Sequence, residues 1–412
     1  MDPRYFFFIL FTLPTLLFGQ INENGIKGYF SFDICEAVDT TDVIFSDYGG
    51  GVSGNIIRQA GAMNCVMDCS IRGNSFSMNG LDEQIVFFSG FQSVFNTSDF
   101  SIGFYFRPDP GVTKMNLFTK AEMCADSASF TIDYNPSSNQ IEATLAQNSS
   151  IRTKVTGKLD PDRCWQHVTF VRDDRNSILY INGEQADLAT ASTRINAKNS
   201  SVLVLGSNLC IDRFRGLIDE IAIYDRAINA NDVDDLFFHP EEIINRDTTI
   251  FLGGSVQIAL SKNCADSYQW SPNAEINDAT VAEPLISPTA TATYQVDMIS
   301  SDCTAKDEIM ITVLDPDDLD CTEVFFPKAF TPNSDNLNDF FRINNPYTID
   351  ELISFEILDR WGSRVFFTDN PFEGWDGNFD GQVVNPGVLL YRVRFVCKGV
   401  EQTQVGSLTL IR

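Results

Sequence analysis

Short runs of alternating apolar and polar residues, cut apart by Gly, Asn, Asp and Pro, dominate this chain and leave little room for anything but β-structure. Phe100-Ser101-Ile102-Gly103-Phe104-Tyr105-Phe106, Phe130-Thr131-Ile132-Asp133-Tyr134 and His167-Val168-Thr169-Phe170-Val171 each place every second side chain on one face. Ser177-Ile178-Leu179-Tyr180-Ile181 followed by Asn182-Gly183 is a hairpin signal, because Asn-Gly accepts the positive φ of a two-residue turn. Between residues 21 and 240 such runs recur roughly every ten to fifteen residues, the rhythm of a β-sandwich. One short helix is expected, Asn231 to Phe238, with Asn229 or Asn231 as N-cap.

A length of 412 residues implies roughly two to four domains. The 56 acidic against 29 basic side chains give a net charge of −27. Such a surface repels phosphate backbones and anionic lipid, which argues against nucleic-acid and membrane-surface partners but is compatible with divalent cations. Residues 1–20 put Arg4 ahead of an apolar run, Tyr5 to Phe18, that is too short for a bilayer and reads as a signal peptide. No other run is apolar enough for a transmembrane segment. Ten cysteines in an exported chain argue for disulfides, and with only two histidines, His167 and His239, no Cys/His metal site is expected.

The C-terminal stretch 321–412 alternates again, as in Phe355/Ile357 against Ser354/Glu356, with turns at Trp361-Gly362, Asp376-Gly377 and Asp380-Gly381. Its motifs run in a fixed order. Pro327 to Asp339 contains Pro332, Asn333, Asp335, Asn338 and Asp339; then come Arg360-Trp361-Gly362, Gly374-Trp375-Asp376-Gly377, the Pro386-Gly387 to Tyr391 strand, and a closing Gly406, Leu410 and Arg412. This order resembles the gliding-motility-associated C-terminal domain, the type B sorting signal of type IX secretion in Bacteroidetes. Ser334 and Asn336 stand where that family has glycines. The resemblance implies a β-sandwich sorting domain, the type IX secretion machinery as a partner, and passage through the periplasm to the outer-membrane surface or the medium.

Residues 21–240 carry a second set: Gly28 to Asp33, Phe76 to Glu83, Phe100 to Phe106, Trp165 to Val171, Leu179 to Gly183 and Phe214 to Ala227. Together they resemble the laminin-G-like, concanavalin-type jelly roll of bacterial surface proteins. Some such folds are glycosidases with their carboxylates together on one strand. Here plain alternation along Asp219 to Asp225 sets Asp219 and Asp225 on one face about 20 Å apart and Glu220 on the other, so no catalytic pair is expected there and the chain is read as a non-enzyme. His167 lies within an alternating strand and is expected to be structural; no G-x-S-x-G motif accompanies it. The resemblance also implies a structural Ca²⁺ near Asp47 and Asp219, the plainer alternative being that both aspartates cap turns. Six cysteines fall in this stretch, and their pairing stays open.

Residues 245–318 read as four strands around Trp270, with Tyr268-Gln269-Trp270-Ser271-Pro272 resembling an Ig-like or PKD-like module. The expected bridges are Cys264–Cys303 within it and Cys321–Cys397 in the terminal domain, with the acidic run 315–320 as a linker. The expectation is therefore an all-β chain: jelly-roll sandwich, Ig-like spacer, C-terminal sorting sandwich. Its function is read as secreted or surface-attached binding or adhesion, with the lectin-like domain recognising an unknown glycan or protein. A polysaccharide-degrading hydrolase and a purely structural matrix protein are the rivals. An aromatic face formed by Tyr48, Phe88 or Phe91 would favour glycan.

Overall fold

The structure, a computed structural model, describes residues 21–33, 43–47, 53–57, 65–66, 69–88, 90–123, 127–207, 210–315, 318–333 and 338–411. The stretch 1–20, expected to be a signal peptide, and Cys35, Tyr48, Cys124, Asp335 and Arg412 lie outside the described residues.

The alternating runs build two largely antiparallel sheets. In one, the order is Glu184–Thr190, Asn176–Ile181, Gln166–Asp173, Phe100–Pro108, Arg215–Tyr224, Ser75–Asn79 and Cys65–Val66, with Ile26–Phe30 also pairing to Arg215–Tyr224. The other runs Arg152–Lys158, Gln140–Ala146, Ser129–Asn135, Met115–Lys120, Leu203–Leu205, Gln84–Phe88, Ser53–Ile57 and Val43–Phe45, with Asp212–Arg213 also pairing, in parallel, to Met115–Lys120. Their inner faces share one core. Phe104 meets Phe118 at 4.8 Å and Phe130 meets Phe170 at 5.0 Å between ring centroids, so the two sheets close on each other as a sandwich.

Alternation fails within the strand Arg215–Tyr224. Glu220 takes a left-handed φ of 50°, and the pairing of Arg215–Tyr224 with Phe100–Pro108 shifts between Asp219 and Ala222. This bulge resets the parity: Ile218, Ile221 and Ile223 all enter the core, while Ala222 and Tyr224 pack on the outer face. The expectation that Asp219 and Asp225 share a face rested on unbroken alternation and does not hold.

The helix is Ala230–Asp235, shorter than expected. Asn229 caps it, accepting from the amides of Asn231 and Asp232 while Asp232 returns a bond to the Asn229 amide. It stops because Phe238 is drawn onto the sheet, its amide donating to the Tyr105 hydroxyl at 2.6 Å.

The chain divides into two compact units: residues 1–246 with 257–286 and 293–309, and residues 247–256, 287–292 and 310–412. Most of the Ig-like stretch thus belongs to the jelly-roll unit. Its strands Ser267–Ser271, Ala292–Ile299, Thr304–Leu314 and Thr248–Phe251 are sheet neighbours in that order, and Trp270 is buried with its Nε1 donating to Val281 O at 3.0 Å.

Cys264 and Cys303 are not bonded to each other, contrary to expectation. The bridges are Cys69–Cys264 and Cys164–Cys303, each joining the Ig-like stretch to the jelly roll. The reason is proximity across the boundary. Lys262 Nζ donates to Ser70 Oγ at 2.8 Å, the Lys306 amide to Asp162 O at 2.8 Å, and Arg107 Nη2 to Ser300 Oγ at 2.7 Å while ion-pairing with Asp302. Residues 257–286 and 293–309 are therefore a cover on the jelly roll rather than a spacer beside it.

In the second unit the strands Ala329–Phe330, Val400–Leu410, Gly387–Cys397, Glu351–Leu358 and Arg364–Thr368 form a five-stranded sheet. Phe326, Phe330, Phe341 and Trp375 cover one face of it, and Cys321–Cys397 closes one end.

Candidate functional site

The two outer faces of the jelly roll differ in what lies on them. The eight-stranded sheet is covered. Tyr105, His167, Asp219 and Glu220 line its outer side and are all buried, beneath Phe237, Phe238 and the stretch around Ile71. His167 packs against Tyr105 with ring centroids 4.6 Å apart and tilted, and burial pushes its pKa down to about 3, so it is a neutral packed ring at neutral pH. Burial pushes Glu220 up to about 8, against the pull of Lys262. Among the described residues, His167 Nδ1 and Glu220 Oε2 have no hydrogen-bond partner.

The aspartates expected to hold Ca²⁺ are placed differently from each other. Asp219 is fully buried; its Oδ2 accepts from the Ile71 amide at 2.7 Å and its Oδ1 from the Glu220 amide at 2.9 Å. Burial raises its pKa well above the carboxylate range despite these amides and that of Arg72, and the charge of Asp33 adds to the rise. Asp47 is exposed, and its Oδ2 accepts from the Ser31 amide at 2.8 Å. Each carboxylate accepts a backbone amide, the turn-capping arrangement named as the plainer alternative. Among the described residues no three His, Cys, Asp or Glu side chains are grouped to hold a metal.

The nine-stranded sheet is open. A groove of about 480 Å³ runs over its outer face. Register explains its lining. Thr119 lies opposite Thr131, Thr131 opposite Thr144, and Thr144 opposite Lys154, making one row across four strands. A parallel row runs Asn116, Asp133, Glu142, Thr156. Neighbouring strands are about 4.8 Å apart, so the rows form a regular grid of polar groups. Charges fix the grid. Lys114 Nζ bonds Asp133 Oδ2 at 3.2 Å and also Glu142 Oε2; Lys154 Nζ reaches Glu142 Oε1 at 2.9 Å; Asn116 Nδ2 donates to Asp133 Oδ1 at 2.8 Å. Burial raises the Asp133 pKa, outweighing Asn116 and Lys114. For Glu142 burial pushes upward too, but the bonds from Lys114 and Lys154 win and lower it.

Asp133 and Glu142 form a facing carboxylate pair of the kind expected to be absent from the Asp219–Asp225 strand. The signal was present: both stand at outward positions of two runs joined by the short turn 136–139. Phe88 stands exposed on the same face; Tyr48 is not described, nor is the side chain of Phe91.

The sorting motif divides into packing and exposed residues. Trp375 is buried with Nε1 donating to Asn378 O at 2.8 Å, and Asp376 Oδ1 accepts from the Asn378 amide at 2.9 Å across the Gly377 turn. Gly374 lies against Phe340 and Arg342, and Tyr391 packs over Gly406, where a Cβ would stand 2.4 Å from its hydroxyl. Around Pro332, the Asn333 amide donates to Asp339 Oδ1 at 2.9 Å and the Thr331 amide to Asn338 O at 3.0 Å. Gly387 opens the strand to Cys397. Arg360, Trp361 and Gly362 form an exposed turn held by Asp359, with Trp361 82% exposed.

Residues 83–234 match the family model of the concanavalin A-like lectin/glucanases superfamily, and residues 324–410 match that of the CHU_C type IX secretion signal domain. No curated protein matches the sequence. Similar solved structures include domain 4 of AbnA, a GH43 extracellular arabinanase from Geobacillus stearothermophilus in complex with arabinotriose (22% identity, 52% of this chain and 98% of that one, TM-score 0.35). The receptor binding domain of a botulinum neurotoxin C/D mosaic serotype (11%, 75% and 75%, 0.44) and Trypanosoma rangeli sialidase (15%, 53% and 33%, 0.36) are others. At these scores the likenesses carry no argument about ligand. No described helix is long and apolar enough to cross a membrane. The chain carries a concanavalin A-like lectin/glucanase-type domain ahead of a type IX secretion signal domain, which marks it for export to the cell surface or the extracellular space.

Proposed function

We propose that the protein is an exported, non-enzymatic binding protein whose open-sheet groove takes an extended, hydroxyl-rich glycan. The observation that carries this is the grid: rows of Thr, Asp, Glu and Lys in cross-strand register along an open groove, prearranged for many hydrogen bonds to one elongated ligand. The polar groups are held by one another before any ligand arrives, so little ordering is left to binding. The signal peptide and the terminal domain bring the protein through the periplasm to the outside. A glycan array probed with the full chain is expected to give a defined set of extended saccharides, lost on Lys114→Ala. Silence on the array together with retained adhesion to cells would replace glycan by protein as the ligand. Export is tested separately: deletion of 324–412 leaves the protein in the periplasm, and its normal appearance outside would refute the sorting role.

One observation favours the hydrolase reading instead, the facing Asp133 and Glu142 with opposite pKa shifts, as an acid and a nucleophile require. Lys114 stands against it, because its ammonium is bonded to both carboxylates and occupies the space between them. Release of reducing sugar from an array-positive glycan, abolished by Asp133→Asn, would establish hydrolysis.

A further inference from the structure

Three disulfides have both partners among the described residues, and their sulfurs are not equivalent. At Cys69–Cys264 each sulfur has its own N–H donor. Arg107 Nη1 donates to Cys69 Sγ at 2.9 Å, and Trp165 Nε1 donates to Cys264 Sγ at 3.2 Å. Arg107 is buried and held in place, because its Nη2 donates to Ser300 Oγ at 2.7 Å and is ion-paired with Asp302. Asp302 offsets part of the guanidinium charge, but the Nη1–H stays directed at the sulfur. Among the described residues no donor reaches either sulfur of Cys164–Cys303 or of Cys321–Cys397.

A disulfide opens when a thiolate attacks one sulfur and the other departs with the bonding electron pair. A disulfide sulfur is a weak acceptor and gains little from an N–H, whereas a thiolate gains much more. Donors that lower the pKa of the departing thiol therefore speed its departure and favour the dithiol at equilibrium. Access by itself does not separate the bridges. Cys69 and Cys264 are both partly exposed; Cys164 is buried, but with Cys303 it lines a cavity of about 310 Å³ that a small thiol can enter. Cys321 and Cys397 are both buried. The donors make the difference.

We propose that Cys69–Cys264 is a thiol–disulfide exchange site for a dithiol reductant, and so the labile one of the two clamps on the cover. One thiolate of the reductant attacks Cys264 Sγ. The Cys69–Cys264 bond breaks, and its electron pair leaves on Cys69 Sγ, facing Arg107. The second thiolate of the reductant then attacks the reductant sulfur of the mixed disulfide, and Cys264 Sγ leaves as a thiolate facing Trp165 Nε1. Two electrons pass from the dithiol to the bridge, the reductant ends as a disulfide, and its two thiol protons go to the cysteines or to water. Cys164–Cys303 still ties the cover, so reduction loosens the stretch around Ile71, whose amide is bonded to Asp219, and leaves the cover attached.

The test treats the full oxidised chain with dithiothreitol at neutral pH and follows each cysteine by timed alkylation and mass spectrometry. Cys69–Cys264 is expected to open about tenfold faster than Cys164–Cys303 and Cys321–Cys397, with amide exchange rising around Ile71. Arg107→Gln is expected to slow that opening about tenfold and to leave the other two bridges unchanged. Loosened packing would act with the opposite sign and speed the opening, so the variant separates thiolate stabilisation from structural damage. A second measurement needs no variant. In the wild-type chain reduced at this bridge alone, half-maximal alkylation of Cys69 is expected at least one pH unit below the value of about 8.5 of an ordinary thiol. Equal opening of Cys69–Cys264 and Cys164–Cys303, an unchanged or faster rate in Arg107→Gln, or a Cys69 that titrates as an ordinary thiol would each overturn the proposal.

Discussion

The two sheets of the jelly roll follow the same alternating grammar and end with opposite outer faces. Both carry polar side chains outward: Tyr105, His167 and Asp219 on one, Thr131, Asp133 and Glu142 on the other. On the first, residues 236–240 and the disulfide-held stretches 257–286 and 293–309 close over them and turn them into buried structural groups. On the second nothing described covers them, and they remain a groove. An outward polar residue becomes a site or a strut according to its cover, not its identity.

The largest effect tests the cover. Replacing Cys69 and Cys164 by serine is expected to cost about 2–5 kcal/mol per bridge in urea unfolding, and to raise amide exchange around Tyr105 and His167 but not around Thr131. Equal protection of the covered face without the bridges would show that packing alone holds the lid. Next, Asp219→Ala removes the acceptor for buried amides of Ile71 and Glu220, an expected loss of about 2–3 kcal/mol. If the variant melts like the wild type, water has entered that face and it is less closed than its burial implies.

The opposite behaviour is expected of the groove. Lys114→Ala should weaken ligand binding about tenfold, a change of about 1.4 kcal/mol, and cost less than about 1 kcal/mol of stability because the lysine is part-exposed. Comparable losses of both would make the groove network a strut too. The smallest effect is a pH signature. The Glu220 pKa is raised from 4.5 to about 8, so the folded state binds the proton more tightly than the unfolded chain does. Its contribution is therefore fully present below about 4.5 and lost as pH rises through about 8. His167, lowered from 6.5 to about 3, works the other way: its contribution is present above 6.5 and lost as pH falls toward 3. Glu220→Gln should flatten the decline in melting temperature between pH 5 and 9 by a few degrees while leaving the acid limb unchanged. An unchanged alkaline limb would assign that decline to other groups.

Much of this molecule was legible without coordinates. Strand positions followed from alternation, and the sorting domain from motifs in order. The Asn229 cap lay in the expected place, though the helix ended early because Phe238 has a tertiary partner in Tyr105. The Asp133–Glu142 pair was legible in principle, since it depends only on a local hairpin register. The bulge at Glu220 was not, because neither Asp219-Glu220 nor its neighbours carry the Gly that would announce a left-handed residue. The expected Cys321–Cys397 bridge formed, but the partners of Cys264 and Cys303 were least accessible: these two lie close in sequence, and their real partners, Cys69 and Cys164, do not.

The sequence by itself determined what strand geometry makes local: the period of two, the turns, the all-β class and the terminal address. Tertiary structure alone decided which outward face is covered. That choice depends on Cys69 meeting Cys264 across 195 residues and Cys164 meeting Cys303 across 139, contacts that leave no periodic trace in the chain.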